Sequence, residues 1–142
     1  MLHRNILTIL LIGTSLILNA CGDGGKVSEL GFDPMRAAMD KGETAFRDYV
    51  SSVAGTRVKW SGRVVKAEKT FEDDYVPVAR LYVDADTAVA TPPVADLVFE
   101  FSLDDLEKHK PANSITFIAI IREVTDFAGK KLLRMELKSI ES

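Results

Sequence analysis

The sequence predicts a mainly β domain: a five-stranded Greek-key barrel with an N-terminal helix and a short helix between the third and fourth strands. Three observations predict it. From Thr56 onward apolar residues recur at every second position in five separate runs, the period of half-buried strands. Gly62 interrupts the first of these runs, and a glycine inside a strand marks a bulge or sharp bend. Between the third and fourth runs, Ser102-Leu103-Asp104-Asp105 has the pattern of a helix cap.

The elements follow in chain order. Asp33-Pro34 opens a helix, with Asp33 as the cap and Pro34 at the first helical position, where its missing N–H costs nothing. Phe46, Tyr49, Val50 and Val53 share the i, i+3, i+4, i+7 spacing of one buried face. Gly42 weakens the middle of the segment, which admits two short helices in place of one. Gly55 suits a left-handed stop.

Val58, Trp60 and Val64 then alternate with Arg57, Lys59, Ser61 and Arg63, and past Gly62 the inward phase passes to Val65 and Ala67. The acidic loop Glu72-Asp73-Asp74-Tyr75 leads to Pro77 and a second strand, with Ala79, Leu81 and Val83 inward. After Thr91-Pro92-Pro93 a third strand carries Leu97, Phe99 and Phe101, and the short helix ends at Pro111. Ile115, Phe117, Ala119 and Ile121 line a fourth strand; Ile118 and Ile120 make its other side apolar, as when a further element covers it. Asp126-Phe127-Ala128-Gly129-Lys130 is a turn before the fifth strand, whose inward residues are Leu133, Met135 and Leu137.

This order, with a bend glycine in the first strand and a helix between strands three and four, matches the OB-fold. Residues 40–140 resemble the tRNA-anticodon-binding-like OB-fold families of bacterial envelope proteins. The resemblance rests on the Phe46–Tyr49 helix, the run Val58-Lys59-Trp60-Ser61-Gly62-Arg63-Val64 and the element order. It implies a fold and does not imply tRNA binding.

The N-terminus has a different character. His3 and Arg4 give a positive head, Ile6 to Leu18 is almost wholly apolar, and Asn19-Ala20 is small enough for a peptidase site. The apolar core, about 13 residues, falls short of the ~20 that a spanning helix needs. Leu18-Asn19-Ala20-Cys21 resembles the lipobox of bacterial lipoproteins, with Asn19 a mild departure. The resemblance implies removal of residues 1–20 as a signal peptide and acylation of Cys21, so that the partner of the anchor is a membrane. It also favours the outer membrane in a Gram-negative cell, because Gly22 rather than Asp follows Cys21. Residues 21–32, rich in glycine, read as a flexible linker, and residues 33–142 as one domain of a size that supports a single core.

Composition narrows the function. The chain has 18 Lys+Arg against 21 Asp+Glu, and removing Arg4 with the signal segment leaves 17 against 21, so no basic excess favours nucleic acid. Cys21 is the sole cysteine and His109 the sole histidine after cleavage, which leaves no zinc set and no nucleophile–histidine system apart from His109 itself. His109, before Pro111, reads as a solvated residue at a helix C-terminus. The run Glu72-Asp73-Asp74 lacks the alternate spacing and glycine of a calcium loop. No cofactor and no metal is expected, and the chain reads as a non-enzyme.

OB-folds bind oligomeric ligands on strands two and three and on the loops after strands one and four. That face presents Arg63, Arg80 and Tyr82 as the candidate ligand residues, with Tyr82 as the single aromatic platform. Trp60 shares a side with Val58 and Val64 and reads as core. Arg57, Lys59, Arg63, Arg134 and Lys138 read as cross-strand partners of acids such as Glu136 rather than as a basic stripe. The expected function is a lipid-anchored, non-enzymatic module engaging an envelope protein or peptide. The alternative is a glycan or single-stranded nucleic acid on the barrel face.

Overall fold

Five strands close into a ring in the order β1-β2-β3-β5-β4. The structure, a computed structural model, describes residues 25–72, 76–86 and 93–141. The expected signal segment, Cys21, the start of the expected linker, residues 73–75 of the acidic loop and Thr91-Pro92 lie outside the described residues. The elements are α1 (Asp33–Lys41), α2 (Glu43–Val53), β1 (Arg57–Glu72), β2 (Val76–Asp84), β3 (Leu97–Phe101), a 3-10 helix (Leu103–Lys108), β4 (Ser114–Phe127) and β5 (Lys130–Glu141). Every pairing is antiparallel except β3 with β5. This is the OB-fold-like barrel.

One strand makes closure possible. β1 pairs with β4 over Arg57 to Arg63 and with β2 over Arg63 to Glu72, so it serves two sides of the ring. The change of partner needs a bend, and Gly62 supplies the room. A Cβ there would stand 2.5 Å from the Asp84 carbonyl oxygen and 2.6 Å from Val83 Cγ1. A register shift between Val64 and Lys66 follows at once, which moves the inward phase from Val64 to Ala67; Val65, expected inward, is carried by the shift to the outer side and packs with the Tyr82 cluster.

The alternating residues fill the interior. Val58, Val64, Ala79, Leu81, Val83, Phe117, Ala119 and Ile121 are fully buried, and Ile115 nearly so. Trp60 is also in the core, edge-on to Phe32 at 5.2 Å, and its Nε1 donates to the Leu30 carbonyl at 2.8 Å. Met35 of α1 and Phe46 and Val50 of α2 join this same cluster, with Tyr49 and Val53 packed beside it. The helices therefore complete the barrel interior. They do not bury the outer side of β4, where Ile118 and Ile120 stay partly exposed, contrary to the expectation from their apolar character.

Three local expectations are corrected. Phe32 holds the cap position of α1 and no side chain caps the helix; Asp33 instead lies in its first turn, where a carboxylate favours the helix dipole. Packing of Phe32 on Trp60 sets the entry of the chain. Gly42, at φ 117°, divides α1 from α2. The linker expectation also shortens: Ser28 N–H donates to the Arg57 carbonyl at 2.8 Å, and Leu30 and Phe32 pack on the core, so the chain joins the barrel before residue 32. Composition predicts linker here because it carries no sign that Leu30 and Phe32 find partners on a core built from distant segments. Finally, His109 is 9% exposed and stands edge-on to Phe101 at 5.6 Å, because the chain turns back toward β4 there and takes the ring inward rather than into solvent.

Candidate ligand-binding face

Arg80 and Tyr82 lie two residues apart on the outer side of β2, opposite Glu68 and Lys66 of β1. They share a face, but the face is closed over Tyr82. Its side chain is 4% exposed and packs with Val98 and Leu132, with Val65, Ala95 and Phe127 at the margin. The hydroxyl donates to Glu68 Oε1 at 2.6 Å, and Lys66 Nζ stands 4.5 Å from the ring centroid. Burial, reinforced by the Glu68 hydrogen bond, pushes the phenol up to about 12. The same hydrogen bond, followed by Lys66, holds the Glu68 carboxyl below its ordinary value. Tyr82 is thus a core residue of a small outer cluster, and the expectation of an open stacking platform is corrected. Alternation put it on the outer face, but it could not show that the β4–β5 hairpin folds over that face.

The residue that does the covering is Phe127, at the end of β4. Its ring meets Tyr82 edge-on at 5.6 Å, and the Arg80 guanidinium lies 5.2 Å from its centroid. Beside it is a shallow groove of about 150 Å³ lined by Arg80, Val98, Glu100, Thr125, Phe127 and Arg134, among others. Phe127 was read from sequence as part of a turn. Its position in the loop after strand four was the available signal, because that loop borders the ligand face of OB-folds.

Arg63 does not join this groove. Its guanidinium donates to Asp84 Oδ2 at 3.2 Å, next to the Gly62 crossing. Asp84 and Asp96 are 2% and 5% exposed, and sequence reading singled out neither. Asp84 accepts from the backbone of Asp86 at 3.1 Å and of Val94 at 3.2 Å; Asp96 accepts from Ala85 at 3.1 Å and Asp86 at 3.2 Å. Arg36 of α1 completes the cluster by pairing with Asp96 and, through Nε, with Asp86 at 3.0 Å. Burial raises the Asp96 carboxyl, with Arg36 opposing. A cavity of about 360 Å³ adjoins this cluster between Arg36, Phe46, Asp86, Val94 and Lys131. Because backbone N–H groups already occupy both carboxylates, the cluster positions the chain between β2 and β3 rather than presenting reactive oxygens.

The remaining charges are mostly balanced across strands. Lys59 meets Glu141 at 3.2 Å, Arg134 meets Glu123 at 2.8 Å and Arg122 pairs with Glu136, whereas Lys138 meets Glu136 at 2.7 Å within β5 and Arg57, expected to pair across strands, makes no ion pair with any described residue. Among the described residues no group of three or more His, Cys, Asp or Glu side chains is arranged to hold a metal ion. Cys21, the expected lipidation residue, lies outside the described residues.

Comparison with solved structures bears on this architecture. The chain is similar to a lipoprotein of Klebsiella pneumoniae subsp. pneumoniae MGH 78578 whose name proposes nucleic-acid binding. The match has a TM-score of 0.51 and 14% identity, and covers 76% of this chain and 85% of that one. The likeness is one of fold. No protein-family model matches the chain, and no curated protein does.

Proposed function

We propose that this chain is a lipid-anchored, non-enzymatic OB-fold module of the cell envelope that binds another envelope protein or peptide. The observation that carries the anchor is Cys21 at the end of Leu18-Asn19-Ala20, behind an apolar run too short to span a bilayer. The similar fold of a Klebsiella lipoprotein supports the pairing of this barrel with such an anchor. Gly22 after Cys21 favours the outer membrane in a Gram-negative cell.

A protein partner is supported by the far end of the β1–β2 ribbon. Among the described residues Val76, Pro77 and Val78 pair only with β1, since β3 begins its pairing at Ala79, and Phe71 and Val76 are each 61% exposed. An open strand edge beside exposed apolar side chains is a setting for strand addition by an extended segment. A photo-crosslinking residue at Phe71 in intact cells should trap a reproducible envelope protein. Absence of such an adduct across several growth conditions would sink the reading.

A second reading places a glycan or single-stranded nucleic acid in the groove of Phe127, Arg80 and Arg134. Its support is the groove's position on the ligand face of the fold and the name of the Klebsiella relative. The pairing of Arg134 with Glu123 and the acidic balance of the chain weigh against phosphate. Binding of oligonucleotides that falls steeply with salt and is lost in Phe127→Ala would favour this reading over the first.

A further inference from the structure

The described chain begins at Gly25, four residues after Cys21, and it is bound to the barrel almost at once. Ser28 bridges to Val58 in parallel, with its N–H on the Arg57 carbonyl at 2.8 Å. A Cβ built on Gly25 would lie 3.3 Å from Arg57 Nε, so the guanidinium stands beside the first described residue. Four residues span at most about 14 Å when fully extended. The headgroup region on each side of a bilayer is itself several ångströms deep.

Most of the described arginines are held by partners within the barrel. Arg36, Arg47, Arg63, Arg122 and Arg134 each pair with a carboxylate, and Arg80 lies over Phe127. Arg57 and Lys26 make no ion pair with any described residue, although Glu29 is exposed in the same segment. Phe71 stands near the opposite end of β1, fourteen residues along a bent strand.

We propose that the end of the barrel carrying Gly25, Lys26 and Arg57 is a membrane-docking surface. The short tether holds this end against the bilayer, and Lys26 and Arg57 meet phosphate groups of the lipid headgroups. The opposite end, with Phe71, is thereby turned away from the membrane toward the aqueous side. This inference rests on acylation of Cys21, and the occupant is the phospholipid surface to which that residue is attached.

The test uses the full chain, processed in cells with labelled palmitate and reconstituted in vesicles of phosphatidylethanolamine and phosphatidylglycerol. Acylation consumes the native thiol, so one new cysteine carries a fluorophore: Ala54→Cys, exposed and three residues from Arg57, or Phe71→Cys at the far end. Nitroxide lipids labelled at the headgroup should quench the first strongly and the second no more than a soluble control. A ten-residue Gly/Ser insertion after Gly24, or the double change Lys26→Glu with Arg57→Glu, should reduce quenching at position 54. Equal quenching at both positions in palmitate-labelled protein overturns the orientation and leaves the anchor standing. Unchanged quenching in the double variant overturns the phosphate contact. Failure of palmitate to enter the wild type overturns the anchor and this inference together.

Discussion

Arg36 and Asp96, sixty residues apart in the chain, form an ion pair that ties α1 to the residue preceding β3. Asp96 is 5% exposed and its second oxygen is already held by the Ala85 and Asp86 backbone, so Arg36 is its compensating charge. Arg36→Ala leaves that carboxylate buried with no cation. Loss of one partner of a buried pair costs 3–5 kcal/mol, and the partial exposure of Arg36 lowers this to about 2 kcal/mol. Urea denaturation at neutral pH measures it. The sign with pH is also set: Asp96 already holds its proton more tightly than usual, and without Arg36 it holds it more tightly still. The gap between variant and wild type should therefore narrow as the pH falls and Asp96 becomes neutral.

Tyr82 gives a second pH dependence of opposite range. Its phenol is pushed up to about 12 from the ordinary value of 10.0. A raised folded-state value contributes stability that is complete below the unfolded value and is lost as pH rises through the folded one. Stability should decline between about pH 10 and 12, and Tyr82→Phe should remove that component. Of the chain's three tyrosines, one should give its phenolate absorbance late in an alkaline titration, and the Phe variant should lack it.

Tyr82→Ala separates a ring in the core from a ring in a binding site. Had Tyr82 been an open platform, the change would leave the melting temperature nearly unmoved. With the ring packed on Val98, Leu132 and Phe127, it should cost about 3 kcal/mol. Calorimetry reads the difference. A melting temperature equal to that of the wild type would contradict the packing described above.

Gly62→Ala should be the most disruptive single methyl in the barrel. The new Cβ would meet the Asp84 carbonyl oxygen at 2.5 Å, and backbone at that distance cannot move aside without reopening the β1–β2 register. A cost of about 3 kcal/mol, at the upper end of overpacking effects, is expected in chemical denaturation.

Ala128 offers a gain. It has φ 52° and precedes Gly129 at φ 83° in the two-residue turn between β4 and β5, where both positions lie in the left-handed region. Such turns favour Asn-Gly, since a left-handed alanine costs about 1 kcal/mol. Ala128→Asn should stabilise the protein by about 0.5 kcal/mol and raise its melting temperature by a few degrees. A lower melting temperature would show that the turn constrains Ala128 in some other way.

The barrel was legible because its cause is local and periodic. Inward residues such as Ile115, Phe117, Ala119 and Ile121 alternate without interruption, and Gly62 and Gly42 mark the bend and the helix break by being glycine. The ligand face was less legible. Alternation assigned Arg80 and Tyr82 to one side of β2 but carried no information about Phe127, which reaches them from another hairpin. Asp84 looked like an outward polar residue because period two says which side a residue takes and nothing of what covers it.

The sequence by itself determined the order of elements, the strand phases outside the β1 bulge, the bend at Gly62 and the expectation of an acyl anchor at Cys21, all of which depend on neighbours within a few positions. Only the tertiary structure decided that Tyr82 is buried, that Arg63 belongs to Asp84, and that Asp84 and Asp96 hold the chain between β2 and β3. It also decided that residues 28–32 join the barrel, where composition alone predicts linker. Each of these is a contact between segments far apart in sequence. Burial and pairing at that range arise from how the ring closes, and no local pattern encodes the closure.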